Sequence, residues 1–226
     1  MRGWKNIEHF LDYCYYLDVK EKFAIILFTF IISVSPAFAA KPTPPAPTPY
    51  SICIDPGHGG SDLGSVNGSL QEKNINLDTA IILRNKLLAS PSGYSVFMTR
   101  TTDATLSNAD RYNFCNSQKA AILISIHHNG SSDLAIDYTT ALYMKKSDVA
   151  LAEIVSDRVS TALELTKKPI SRFASGVLLK ANMPSTISEG FFLTNTDEYN
   201  LLTANNDRLN QEADALLSAI NTYFGK

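Results

Sequence analysis

From Tyr50 onward, short apolar runs alternate with longer segments of helical period, and this alternation constrains the fold more than any other feature of the chain. The runs occupy 51–55, 94–99, 121–126, 141–144 and 186–192, and helical spacing occupies 74–88, 107–118, 148–165 and 206–223. Strand-length runs separated by helix-length segments call for crossover connections, because parallel neighbours cannot be joined by a tight turn. The sequence therefore predicts an α/β fold: a single domain over 50–226, its mostly parallel sheet flanked by helices on both faces. Segment 74–88 places Leu77, Ala80, Ile81, Leu83, Leu87 and Leu88 mostly along one stripe, the expected buried face of an amphipathic helix. In open sheets of this kind ligands sit beyond the carboxyl ends of the strands, so chemistry belongs to the polar residues directly after each run.

The first 49 residues follow other rules. Lys20-Glu21-Lys22 precedes an apolar run over 23–34, then come Pro36 and the small-x-small triplet Ala37-Phe38-Ala39. This pattern predicts a signal peptide over 1–39, and an apolar run so short falls below the ~20 residues that a membrane-spanning helix needs. The expected product is exported to the periplasm, cell wall or medium, with no stable membrane span after cleavage. Residues 40–49 form a Pro-rich linker, with five prolines between 41 and 49, expected to be a stiff polyproline-II spacer. The charge balance, 20 basic against 22 acidic residues with no Lys/Arg cluster, leaves no electrostatic footprint for nucleic acid. Cys14 leaves with the leader. Cys53 and Cys115 would meet an oxidising compartment and could bridge, but each sits in a buried apolar pattern where free thiols are common, and free thiols are the expectation.

Two strand ends hold every histidine beyond residue 39: His58 in Asp55-Pro56-Gly57-His58-Gly59-Gly60, and His127-His128 in the run ending Ser125-Ile126-His127-His128-Asn129. Glycines around His58 leave room beside the imidazole, which suits an accessible metal with an open position. Glu72 opens a helical segment and admits two readings, since Ser69 and Glu72 have the spacing of a capping box and Glu72 is equally a candidate ligand. Glu189 lies within an otherwise apolar strand, where a carboxylate is costly unless paired, metal-bound or at work as an acid or base. Two His and one carboxylate on zinc, with a second Glu outside the ligand set, make a catalytic-zinc arrangement. The candidates are far apart in sequence, without a local HExxH, so spacing alone does not establish convergence.

Taken in order, the motifs resemble those of the zinc-dependent N-acetylmuramoyl-L-alanine amidases of cell-wall hydrolysis. The matching pieces are Ile54-Asp-Pro-Gly-His-Gly-Gly60 with Asp62 and Gly64, Glu72-Lys73 with Asn76-Leu77, Thr99-Arg100 with Asp103, Arg111 with Cys115-Asn116, Ser125-Ile-His127 with Asn129, Val177-Leu178, and Glu189-Gly-Phe191 with Asn195. The resemblance implies that His58, Glu72 and His127 bind Zn and that Glu189 is the catalytic glutamate. It also implies the reaction: hydrolysis of the amide joining N-acetylmuramic acid to L-alanine of the peptidoglycan stem peptide. His128 departs from the family, which usually has a small residue there. Consecutive strand residues face opposite ways, so His128 and His127 are not expected to share one metal, and His128 either lines the cleft or packs elsewhere. Asp55, Arg100, Asp103 and Arg111 match the family as well, and a surface or turn-stabilising role is expected for them.

Some amidases of this family carry a long helical insertion after the third ligand motif that covers the zinc; the 130–140 segment is too short for one, so an open cleft is expected. Peptidoglycan would then be found by the domain itself or through a protein activator. Two other readings remain open: a non-catalytic peptidoglycan-binding or activator protein with the same fold, and a zinc peptidase cutting within the stem peptide.

Overall fold

The protein is described by a computed structural model covering residues 50–204 and 207–226. The expected signal peptide and Pro-rich linker lie outside the described residues. β1 (Ser51–Pro56) pairs in parallel with β4 (Ser95–Met98) on one side and β5 (Ile122–Asn129) on the other, and β5 pairs in parallel with β8 (Ser185–Phe192). β6 (Thr140–Tyr143) runs antiparallel to β8 and carries the two-residue edge strand β7 (Ser171–Arg172), giving the order β4-β1-β5-β8-β6-β7. The expected α/β architecture with a mostly parallel sheet is thus what the chain adopts.

The two-residue period of the strands sorts their side chains into two cores. Ile52, Ile54, Ile122, Ile124 and Ile126 share the larger core with Leu83 and Leu87 of α1 (Glu72–Ala89), Val155 of α3 (Val149–Leu163) and Leu216 of α6 (Arg208–Phe224). Cys53 and Leu123 point the other way, to a smaller core closed by α2 (Asn108–Ser117) and α4 (Gly176–Lys180). Each fully buried Leu or Ile contributes about 1.5–3 kcal/mol by leaving water, so the larger core dominates the stability. The buried face of α1 runs through Glu72, Asn76, Ala80, Leu83 and Leu87 rather than ending on Leu88, which is 60% exposed. Its first turns are polar because they border the strand ends, not the hydrocarbon core.

The free-thiol expectation is corrected: Cys53 and Cys115 form a disulfide, with Cα atoms 5.7 Å apart across 62 residues of sequence. Strand alternation turns Cys53 toward α2, and the buried side of that helix presents Cys115 at bridging distance; neither local pattern carried that information. Several elements were too short to leave a period in the sequence: the hairpin β2 (Val66–Asn67) and β3 (Leu70–Gln71), β7, α4, and α5 (Thr196–Thr203). Among the described residues no helix is long and apolar enough to cross a membrane. Cys115→Ala should lower the unfolding free energy by about 2–4 kcal/mol in oxidising buffer. Denaturant melts with and without reductant check this, since under reductant the variant and the parent should nearly coincide.

Candidate metal centre

After β1 the chain turns sharply through Gly57 and His58, whose φ of 58° places it in the left-handed region. Two guanidinium groups hold this turn. Arg100 donates to the carbonyls of Pro56 (2.9 Å) and Gly57 (2.8 Å), while Arg111 donates to those of Pro56 (2.7 Å) and His58 (2.8 Å). Arg111 also pairs with Asp55 at 2.8 Å, and Asp55 accepts from the hydroxyls of Thr99 and Ser125. Asp55, Arg100 and Arg111 are therefore buried, which corrects the surface reading, although their role is to stabilise the turn as expected. Asp103 does stand at the surface, accepting from the Gly60 amide (2.6 Å) and from Lys73 (2.7 Å). A Cβ at Gly57 would overlap the His127 ring, so glycine is what lets the two histidine-bearing segments close on each other.

Glu72 is the first residue of α1, behind Gln71 as N-cap. The capping box with Ser69 does not form, because Leu70 and Gln71 pair as a strand and the Glu72 side chain turns inward. Its Oε2 accepts the Ser65 amide at 2.8 Å; its Oε1 lies 3.1 Å from His58 Nε2 and 3.1 Å from His127 Nδ1. One ligand atom from each of His58, Glu72 and His127 lies within 4.8 Å of the others, the one such cluster found among the described residues. In a tetrahedral zinc site with bonds near 2.0–2.1 Å, ligand atoms stand about 3.3 Å apart, a spacing that the two Glu72–imidazole separations of 3.1 Å already match. The donor set, two imidazole nitrogens and one carboxylate, is that of a catalytic rather than a structural site.

Asp62 completes the cluster from outside. Its Oδ2 lies 2.8 Å from His58 Nδ1 and so turns Nε2 toward the centre, a contact that could have been sought in the sequence at i+4 from His58. Although burial opposes the charge on His58, Glu72 and Asp62 together raise its pKa to about 9. Burial alone would push the Glu72 carboxyl up, but the His127 and His58 rings bring it far below the usual carboxylate range.

Glu189 is the cross-strand neighbour of His127 in the β5–β8 register. Both side chains face a cavity of about 470 Å³, walled on its apolar side by Leu106, Leu142, Phe173 and Val177. Burial raises the Glu189 pKa, and its carboxylate has no hydrogen-bond partner among the described residues. His128, one position beyond His127, faces the opposite side of the sheet. It is buried against Phe191, with Nδ1 2.7 Å from Asn76 Oδ1 and Nε2 2.9 Å from Glu212 Oε2, and it does not line the cleft. Burial disfavours the charged imidazole, yet the Glu212 carboxylate outweighs it and holds the His128 pKa above the ordinary value. The segment between β5 and β6 contains no helix among its described residues and contributes nothing to the cavity wall. Asn195 instead ties it to the start of α5 through the Leu134 carbonyl (3.1 Å).

An α/β sheet with two imidazoles and a carboxylate gathered at its strand ends is an arrangement on which metal-dependent hydrolases are built. The chain belongs to the N-acetylmuramoyl-L-alanine amidase family, whose model matches residues 52–222. It is 33% identical over 147 residues to the N-acetylmuramoyl-L-alanine amidase CwlM of Bacillus licheniformis, a match covering 65% of this chain and 58% of that relative. The chain thus spans little more than half of that relative's length. Among solved structures, the catalytic domain of CwlV, an N-acetylmuramoyl-L-alanine amidase from Bacillus (Paenibacillus) polymyxa, superposes with a TM-score of 0.72 at 28% identity, covering 77% of this chain and 98% of that one. An N-acetylmuramoyl-L-alanine amidase from Clostridium difficile 630 gives the same TM-score, 0.72, at 30% identity, with 78% and 97% covered.

The buried Asp55 generates a prediction about acid stability. Burial would raise its pKa, but the Arg111 charge and the Thr99 and Ser125 hydroxyls hold it below the ordinary value. A carboxyl whose folded-state pKa is depressed stabilises the fold above its unfolded pKa, about 4, and that stabilisation drains away as pH falls through the folded value. Asp55→Asn should therefore flatten the loss of stability below about pH 4, as measured by denaturant midpoints across pH 2–7.

Proposed function

We propose that this protein is an exported, zinc-dependent N-acetylmuramoyl-L-alanine amidase that hydrolyses the amide between N-acetylmuramic acid and the L-alanine of the peptidoglycan stem peptide. The observation that carries the proposal is Glu189: a half-buried carboxylate without a hydrogen-bond partner among the described residues, beside His127 and facing the same cavity as the His58–Glu72–His127 cluster. Membership of the family supports the choice of bond.

His58, Glu72 and His127 would hold the ion, and two of them, His58 and His127, line the cavity. When bound, the metal supplies a Lewis acid that makes water a nucleophile near neutral pH. Glu189 takes the proton of the attacking water on a carboxylate oxygen and returns it to the leaving nitrogen, so that water and amide become a lactyl carboxylate and a free L-alanine amine. Its raised pKa suits a group that must carry a proton between these two steps. The 1–39 leader delivers the enzyme to the wall and is removed, the 40–49 spacer then precedes the domain, and the uncovered cleft stands open for peptidoglycan. Any protein activator would then act in recruitment rather than by lifting a helix from the metal.

Zinc-loaded protein incubated with purified peptidoglycan should release stem peptides beginning at L-alanine and leave the glycan intact, read by mass spectrometry of the products. Glu189→Gln should bind zinc normally and lose at least about 100-fold in kcat, the lower range for removing a general acid–base. Cuts within the stem peptide would make the protein a peptidase. Bound zinc without any product would favour a peptidoglycan-binding role.

A further inference from the structure

His128 replaces a small residue usual in the family and is fully enclosed, yet its contacts lead back to the metal centre. Asn76 Nδ2 points to the carbonyl of Gly57 at 3.1 Å and to Glu72 Oε1 at 3.4 Å, both pure acceptors. The amide nitrogen must therefore lie on that side, and Oδ1 is left to accept from His128 Nδ1 at 2.7 Å. The opposite ring nitrogen, Nε2, lies 2.9 Å from Glu212 Oε2 on α6, so the imidazole is gripped at both ends whichever partner of that last pair carries the proton. Room for Glu212 is also built in: a Cβ at Gly190, the residue after Glu189, would overlap its carboxylate. Asn76 consequently touches all three ligand-bearing segments, through Gly57 before His58, through Glu72 itself, and through His128 after His127. The backbone amide of His128 adds a direct bond to Glu72 Oε1 at 3.1 Å.

We propose that His128, braced by Glu212, is a positioning residue that fixes Asn76 and through it the orientation of the ligand carboxylate of Glu72. The proposal rests on the metal-site reading above, with one difference in what it requires: it concerns the geometry of the ligands and needs no particular substrate. An apolar residue at 128 would leave Asn76 Oδ1 and the Glu212 carboxylate buried without partners. Asn76 would then be free to rotate away from Glu72 and Gly57.

Zinc affinity by chelator competition and the visible spectrum of the cobalt-substituted protein test this without any turnover. Asn76→Ala and His128→Ala should each weaken zinc binding about 10–100-fold and shift the cobalt bands. The double variant should be no weaker than Asn76→Ala alone, because His128 acts through Asn76. In peptidoglycan assays at saturating zinc, His128→Ala should lower kcat while leaving KM unchanged. If His128→Ala does not fold, His128→Gln takes its place: it keeps one bond to Asn76 but cannot also reach Glu212, and an intermediate loss of affinity is expected. Affinity within twofold of the parent with an unchanged cobalt spectrum would overturn the proposal, as would losses that simply add in the double variant. A parent protein that bound zinc but cut nothing would fail the amidase reading and leave this one standing. A parent that bound neither metal would end both.

Discussion

A carboxylate with 3% exposure must find its compensation inside the protein, and around Glu72 that need organises much of the surrounding structure. One oxygen is capped by the Ser65 amide; the other faces two imidazoles and receives the His128 amide. These four partners come from three stretches of chain: the loop after β1, the 62–65 turn, and the end of β5. The sheet brings the first and last together, because β1 and β5 are parallel neighbours whose carboxyl ends finish side by side. The start of α1 then delivers the carboxylate between them. Two protonatable rings and one carboxylate packed this tightly are better matched by a divalent cation than by shared protons, which links the electrostatics of the fold to its chemistry.

Holding that arrangement requires a rigid turn at His58, and its rigidity comes from below. Arg100 and Arg111 occupy the carbonyls of three successive residues, while Asp55 balances the Arg111 charge. Leaving either member of such a buried pair alone costs on the order of 3–5 kcal/mol, so the turn is tied to global folding and not to a locally mobile loop. The disulfide works on the same segment: Cys53 lies within β1, and Cys115 follows Arg111 by one turn of α2. The strand that leads to His58 and the helix that supplies its anchoring guanidinium are thereby joined covalently.

Much of the architecture was legible because periodicity reports on burial, and burial here is set by one sheet with two covered faces. The helices of ten or more residues and the five strands of four or more residues announced themselves. The two-residue strands and the five-residue α4 could not, since they are too short to display a period, and the two turns of α5 carry too few apolar residues to show one. Site chemistry was legible to a different depth. His58, His127 and Glu189 stood out as polar groups at strand ends or in an apolar run. Glu72 was ambiguous by pattern alone; the family resemblance implied a ligand, and the β3 pairing then removed its capping role. Asp62 and Asn76 carried only a motif match, because their importance lies in which atom they touch. Cys53 with Cys115 and His128 with Glu212 were illegible for one shared reason: the partners are 62 and 84 residues apart, and no local pattern records which face of a helix will cross which strand.

The central claim, that His58, Glu72 and His127 form one mononuclear metal site, is tested most directly by zinc K-edge X-ray absorption on the stoichiometrically loaded protein. The account predicts one zinc per chain with low-atomic-number ligands at about 2.0–2.1 Å, two of them showing the outer-shell scattering of imidazole. One imidazole should vanish in His58→Ala. Sulfur scattering, or an imidazole count unchanged by that substitution, would contradict it.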